Sequence, residues 1–214
     1  MSKKSPFNLI NILKVLTGLS VVISVLIYLL SDGLNPIQTT GKVFGNIATI
    51  AFILTTIPGI ITRFKIKSKT IKPIKTELLK SRAWMGIFMF VTAYLHFMFS
   101  RILINVRLEE VGIEVDFFSY EVFEIFGAIA LGITFFLFLT SNKLSKLKLK
   151  KNWKKLHRLT YVALWFIFGH VVIIGFVRGS LSPIAILLLI TGVMQVLSLI
   201  YAYQESTAKK SNPK

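Results

Sequence analysis

Six runs of about 20 mostly apolar residues set the limits on what this 214-residue chain can fold into. A bilayer's hydrocarbon core is about 30 Å thick and an α-helix rises about 1.5 Å per residue, so each run is long enough to cross. They are read as roughly Leu9–Leu30, Val43–Thr62, Ala83–Leu103, Ser119–Thr140, Leu159–Val177 and Pro183–Tyr203. Inside lipid every backbone N–H and C=O must bond within the chain, so only helices and closed barrels span. The runs are continuous rather than alternating, which argues for helices. The expected fold is therefore all-α, an integral membrane six-helix bundle. A mean hydropathy of +0.69 agrees with this. No internal repeat is evident, and no segment between the runs is long enough for a soluble domain. The first run follows Met1-Ser2-Lys3-Lys4, as in a signal peptide. However, it is long, lacks a small-residue cleavage site and precedes five more spans, so a retained helix is expected. The expected division is a tail at 1–8, the transmembrane domain at 9–203 and a second tail at 204–214.

The formal charge of +17 could suggest nucleic acid, but the placement of the charges points to topology. Lys3, Lys4 and Lys14 flank the first run. Arg63, Lys65, Lys67, Lys69, Lys72, Lys75, Lys80 and Arg82 follow the second. Lys143, Lys146, Lys148, Lys150, Lys151, Lys154, Lys155 and Arg158 follow the fourth, and Lys209, Lys210 and Lys214 close the chain. Of the 26 basic residues only Lys42, Arg101, Arg107 and Arg178 fall on the other side, together with the acidic Glu109, Glu110, Glu114 and Asp116. The positive-inside rule then predicts that both termini are cytoplasmic, in a multi-pass protein of the cell (inner or plasma) membrane. The basic loops are also suited to anionic lipid head groups.

All three histidines, His96, His157 and His170, lie at or inside apolar runs, and cysteine is absent. Thiolate chemistry is thereby excluded, and any redox function must run through a bound cofactor. An ionisable residue within the membrane is a functional candidate by default, and histidine is a frequent axial ligand of haem iron. In the predicted topology the third and fifth helices run in the same direction. His96 lies 14 residues beyond Arg82, roughly 21 Å along the helix, and His170 lies 12 beyond Arg158, roughly 18 Å. Two imidazoles at matching depth on parallel helices can clamp one haem iron from both faces.

His157 differs. It begins the fifth run at the membrane surface, 13 residues before His170, or about 20 Å, a spacing suited to two stacked haems. Thirteen residues also leave the two side chains about 140° apart around an ideal helix. Either the helix bends near Tyr161–Trp165, or two haems are approached from different angles, or His157 is no ligand. Arg82 and His96, 14 apart, do share a face. Arginine cannot lose its proton to ligate iron, but it can pair with a haem propionate or a flavin phosphate. A simpler reading stands beside these. A buried histidine often only donates to a backbone carbonyl, and Trp84, Tyr94, Phe97, Trp165 and Phe168 suit ordinary packing as well as a macrocycle pocket. The same holds for Gly86, Gly127, Gly132 and Gly169, which let either helices or a flat ring approach.

The stretch Trp153-Lys154-Lys155-Leu156-His157-Arg158-Leu159-Thr160-Tyr161, with His170 following, resembles a signature of the bacterial MsrQ/YedZ family, W-x-x-L-H-R-L-x-Y with a second His 13 on. Ser81-Arg82-Ala83-Trp84-Met85-Gly86, continuing to Leu95-His96, resembles that family's R-R-x-L-G-L…L-H run. Gly33, Asn35, Pro36, Gln38 and Gly41, in what is read as the first outer loop, resemble its G-x-N-P-x-E/Q…G motif. Thr56 and Pro58 echo a T-P pair near the end of the second helix. Together these cover about Asp32 to Ile173. The chain departs from the pattern in having Ser81-Arg82 for an arginine pair, a glycine shifted by one residue, and an acidic third loop.

The resemblance implies a ferric reductase-like transmembrane protein binding haem b, one group or two, with His96, His157 and His170 as haem-iron ligands. It further implies electron transfer from a cytoplasmic flavin reductase to an extracytoplasmic molybdopterin enzyme that repairs methionine sulfoxide. A flavin mononucleotide (FMN) is also associated with the family, and no residue here is assigned to it. The chain has no G-x-G-x-x-G nucleotide fingerprint after a strand, so it is expected to be an electron-transfer subunit that needs a separate donor and acceptor. Three other functions stay open: a ferric or cupric reductase subunit, a quinol-linked cytochrome b, or a non-redox membrane scaffold.

Overall fold

A computed structural model describes residues 8–31, 33–116 and 119–211. Lys3, Lys4, Asp32 and Lys214, which bear on the predicted topology and motifs, lie outside the described residues. Nine α-helices form, and no strand occurs among the described residues. They are α1 (Leu9–Leu30), α2 (Leu34–Arg63), α3 (Ile71–Phe97), α4 (Leu103–Glu110), α5 (Val122–Leu139), α6 (Lys143–Leu149), α7 (Lys151–Leu156), α8 (Leu159–Val177) and α9 (Pro183–Ser211). A π-helical segment, Met98–Ile102, joins α3 to α4. Six of the resulting units are long and apolar enough to cross a membrane, so the chain is a multi-pass membrane protein.

The helices outrun the apolar runs. α2 starts at Leu34 rather than Val43, so the Asn35-Pro36 motif expected in a loop forms its first turns. Pro36 costs little there, because the first N–H groups of a helix have no internal acceptor. The third span covers Ile71–Glu110, which makes Lys72, Lys75, Lys80 and Arg82 helical instead of loop residues. α9 continues to Ser211 and takes up most of the expected tail. Polar and charged residues can extend a helix beyond the lipid core, where water satisfies them, so hydrophobicity alone underestimates length.

Most serine and threonine hydroxyls within the spans turn back on their own helix. Thr92 Oγ1 donates to Phe88 O at 2.9 Å, Thr56 Oγ1 to Ile53 O at 2.7 Å and Ser24 Oγ to Ser20 O at 2.5 Å. This satisfies a polar group that lipid or core would otherwise leave bare. The core lies where α2, α3, α8 and α9 meet, around Phe52, Met89, Ala163, Leu164 and Leu188. A second cluster of Ile37, Phe44 and Phe99 sits nearer the end opposite the basic connections. α1 and α9 turn large apolar side chains outward (Leu30 is 76% exposed, Ile190 54%), as a lipid-facing surface requires.

The basic end is braced by Arg63. It closes α2 rather than sitting in the loop, and it donates to Tyr161 Oη of α8 at 2.6 Å and to Gln195 Oε1 and Ser198 Oγ of α9 at 2.7 and 2.8 Å. A planar guanidinium presents several donors in a fixed fork, which suits one residue joining three helices. Lys65 pairs with Glu205 beside it.

Candidate functional site

His96 on α3 and His170 on α8 face one another. Their ring centroids are 6.1 Å apart and the planes cross at 76°. Both rings line a cavity of about 550 Å³ between α2, α3, α5 and α8. The expectation that the two stand at matching depth therefore agrees with the structure.

Each ring is held in the same way. His96 Nδ1 donates to the carbonyl of Gly41 on α2 at 2.7 Å, and His170 Nδ1 donates to the carbonyl of Phe123 on α5 at 2.7 Å. A carbonyl oxygen only accepts, so Nδ1 carries a proton, and in the neutral ring the lone pair is then on Nε2. Among the described residues no hydrogen bond occupies either Nε2. Four residues after each carbonyl, one turn on, comes a glycine. A methyl at Gly45 would lie 2.9 Å from His96 Nδ1, and one at Gly127 would lie 2.9 Å from His170 Nδ1. Only glycine lets each ring lie flat on its neighbouring helix and still reach the carbonyl.

The π-helical turn adds a further contact. The extra residue in such a turn re-aims the side chains after it. Ser100 Oγ comes within 3.1 Å of His96 Nδ1, and Gly41 is again the space-maker, since a methyl there would lie 2.5 Å from that hydroxyl. Arg101, in the same turn, pairs with Glu124 of α5 at 3.3 Å and packs over Tyr120.

One carbonyl bond is all that an ordinary buried imidazole requires. Two imidazoles across a shared cavity, both with Nδ1 engaged and Nε2 without a hydrogen bond, are of the chemistry that would hold one metal between them. Two imidazoles sharing one metal, each with a metal–nitrogen bond of about 2 Å, would have ring centroids no more than about 6 Å apart. The observed 6.1 Å fits. Among the described residues no group of three or more His, Cys, Asp or Glu gathers around a bare ion. Two axial nitrogens suit a metal whose other positions are filled by a macrocycle. The residues present fit a haem.

The other candidates lie elsewhere. His157 does not begin the long helix; it caps α7, and the chain turns at His157–Arg158 before α8 starts. The interruption comes before Tyr161–Trp165, and α8 itself runs unbroken from Leu159 to Val177. The His157 ring stacks on Trp153 at 4.0 Å, its Nε2 lies 3.3 Å from Thr140 Oγ1, and it does not line the His96–His170 cavity. Arg82 is half-buried near the basic end, within electrostatic range of His157, Tyr161 and Arg63, and is likewise apart from the cavity. Of the singled-out aromatics only Phe97 lines the cavity. Lys14 packs over Trp84, Trp165 packs on Gly192 and Phe168, and Tyr94 is largely exposed. Gly127 is a ring seat as expected of a small residue, whereas Gly86 and Gly132 face open space and Gly169 receives Phe126. Sequence reasoning misses Gly45, Phe123 and Ser100. Gly45 had a signal, being one turn beyond motif residue Gly41. The Phe123 carbonyl had none, because any residue supplies a carbonyl.

A family model described as ferric reductase like transmembrane component matches residues 42–168, more than half of the chain. No curated protein and no solved structure matches.

Proposed function

Since this chain belongs to the ferric reductase-like transmembrane family, whose members typically bind haem, we propose that it is the haem b-binding subunit of a membrane electron-transfer system. The facing pair His96–His170, each ring with Nδ1 tied and Nε2 free, carries this reading. His96 and His170 are the residues that would hold the iron. When bound, haem would supply a one-electron couple. The chain's own residues do the rest. The Gly41 and Phe123 carbonyls fix the tautomer and ring orientation, and a ligand proton held by a carbonyl makes the imidazole a stronger donor. Gly45 and Gly127 set how deeply each ring sits. Met89, Leu131 and Val171 give part of the cavity wall an apolar surface suited to the face of a flat ring.

The motifs around Gly33–Gly41, Arg82–His96 and Trp153–His170 support a narrower assignment to the MsrQ/YedZ type. In that assignment the basic end faces the cytoplasm and receives electrons from a flavin reductase. The opposite end delivers them to an extracytoplasmic molybdopterin methionine sulfoxide reductase. His157 and Arg82, close together at the basic end, are the residues we assign to electron entry, through a second haem or an FMN. A basic face steers an acidic donor domain by long-range attraction.

Purified protein from haem-replete cells tests the core of this reading. A low-spin Soret spectrum with at least one haem b per chain by pyridine haemochrome is expected. A colourless protein refutes it. Co-purification with, and reduction by, a flavin reductase tests the narrower assignment separately.

A further inference from the structure

The cavity that holds the two histidines is charged at one end only. Toward the basic end its wall is Met89, Leu131 and Ile167, with Thr49 and Thr134, whose hydroxyls bond to carbonyls of their own helices. Toward the opposite end it reaches Lys42 on α2 and Arg178 just past the end of α8. Lys42 precedes Gly45, the seat of the His96 ring, by about one turn. Arg178 follows His170 by about two turns, roughly 12 Å. A third cation at this end, Arg101, is matched by the carboxylate of Glu124 at 3.3 Å. Lys42 and Arg178 have no acidic partner among the described residues.

We propose that Lys42 and Arg178 bind the two carboxylates on the edge of the macrocycle, and so fix which way round it sits. This rests on the haem reading above. Two axial imidazoles by themselves do not distinguish one edge of the ring from the other, because they contact only the iron. Haem b has two propionates on one edge and methyl and vinyl groups on the other. Burying a carboxylate against Met89, Leu131 and Ile167 without a partner costs several kcal/mol or forces its protonation. At the opposite end two cations, Lys42 on α2 and Arg178 just past α8, would meet it instead. Arginine offers a carboxylate a two-pronged contact and lysine a point charge. The propionate edge therefore points away from the basic end and the vinyl edge toward it.

Competitive loading tests this. Apoprotein from a haem-deficient host is titrated in detergent with haem b and with its dimethyl ester, which has the same ring and iron but no charged carboxylates. Soret absorbance is the readout. The Lys42→Gln/Arg178→Gln double variant is expected to bind haem b about tenfold less tightly than the unaltered protein while binding the ester equally well. Lys42→Arg and Arg178→Lys, which keep the charge, are expected to retain most of the affinity for haem b. Each single glutamine variant should lose part of the preference, which keeps the proposal decidable if the double variant fails to fold. Unchanged haem b affinity in the single and double glutamine variants overturns the proposal. Failure of the unaltered protein to bind either compound overturns the haem reading itself, and does so before any variant is made.

Discussion

His96 and His170 face each other at a centroid separation of 6.1 Å, each lying against a glycine of another helix and each bonded to the carbonyl one turn before that glycine. The site is thus built from two copies of one local device, on α2 for His96 and on α5 for His170. Its consequences can be measured.

His96→Ala and His170→Ala should each abolish stable binding at the site, because a macrocycle held on one axial side is loosely held. Haem content by pyridine haemochrome and loss of the low-spin spectrum are the readouts. His157→Ala should leave that haem in place and slow its reduction from the donor side, since His157 lies on Trp153 and Thr140 outside the cavity. Full low-spin haem in either His96→Ala or His170→Ala would show that the pair does not share one iron.

Gly45→Ala and Gly127→Ala should each displace a ring, because the added methyl would stand 2.9 Å from Nδ1. Haem content should fall, or the spectrum shift to high spin, in both. Gly86→Ala and Gly132→Ala serve as controls: both glycines are helical and meet open space, so alanine should be neutral or stabilise by about 0.5–1 kcal/mol through helix propensity. Thermal unfolding in detergent separates the two outcomes, and equal behaviour of all four variants would show that Gly45 and Gly127 are not ring seats.

Ser100→Ala should keep the haem and raise its midpoint potential. Nδ1 of His96 carries a proton and can only donate, so Ser100 Oγ at 3.1 Å accepts. A second acceptor pulls on the ligand proton, makes the imidazole more electron-rich and favours the ferric state. Removing it favours the ferrous state. A potentiometric titration that finds the midpoint unchanged or lowered would contradict this.

Arg63→Met should destabilise the protein by about 2 kcal/mol or more, as three hydrogen bonds to a charged group are lost at once. Arg63→Lys should recover little, because a single ammonium cannot reproduce the fork that reaches Tyr161, Gln195 and Ser198 together. Unfolding in mixed micelles would measure both. Loss below about 0.5 kcal/mol would mean that the three helices are held by packing alone.

The spans were legible in the sequence, because in lipid the backbone must bond within itself and a long apolar run has one common solution. Their ends were not. Leu34–Lys42 and Ile71–Arg82 are helical without being uniformly apolar, since water serves the polar side chains at the rims. The Asn35-Pro36 motif was visible as a motif but misplaced in a loop for the same reason. The histidine pair was legible from depth alone, as rise per residue converts sequence distance into height. His157 was not, because counting residues assumes a continuous helix and the chain breaks at His157–Arg158. The packing of α8 against α5 supplies the Phe123 carbonyl to His170, a contact between helices that no residue count gives.

By itself the sequence determined the membrane environment, the number of crossings, the absence of thiol chemistry and the matching height of His96 and His170. All of these come from hydrophobicity, residue identity and helical rise, which act along one helix at a time. Tertiary structure decided the rest: that the Gly41 and Phe123 carbonyls fix the tautomers, that Gly45 and Gly127 seat the rings, and that Arg63 bridges helices instead of merely marking a loop. Those outcomes depend on which face of one helix meets which face of another. Neither a backbone carbonyl nor the space beside a glycine leaves a mark of that meeting in the order of residues.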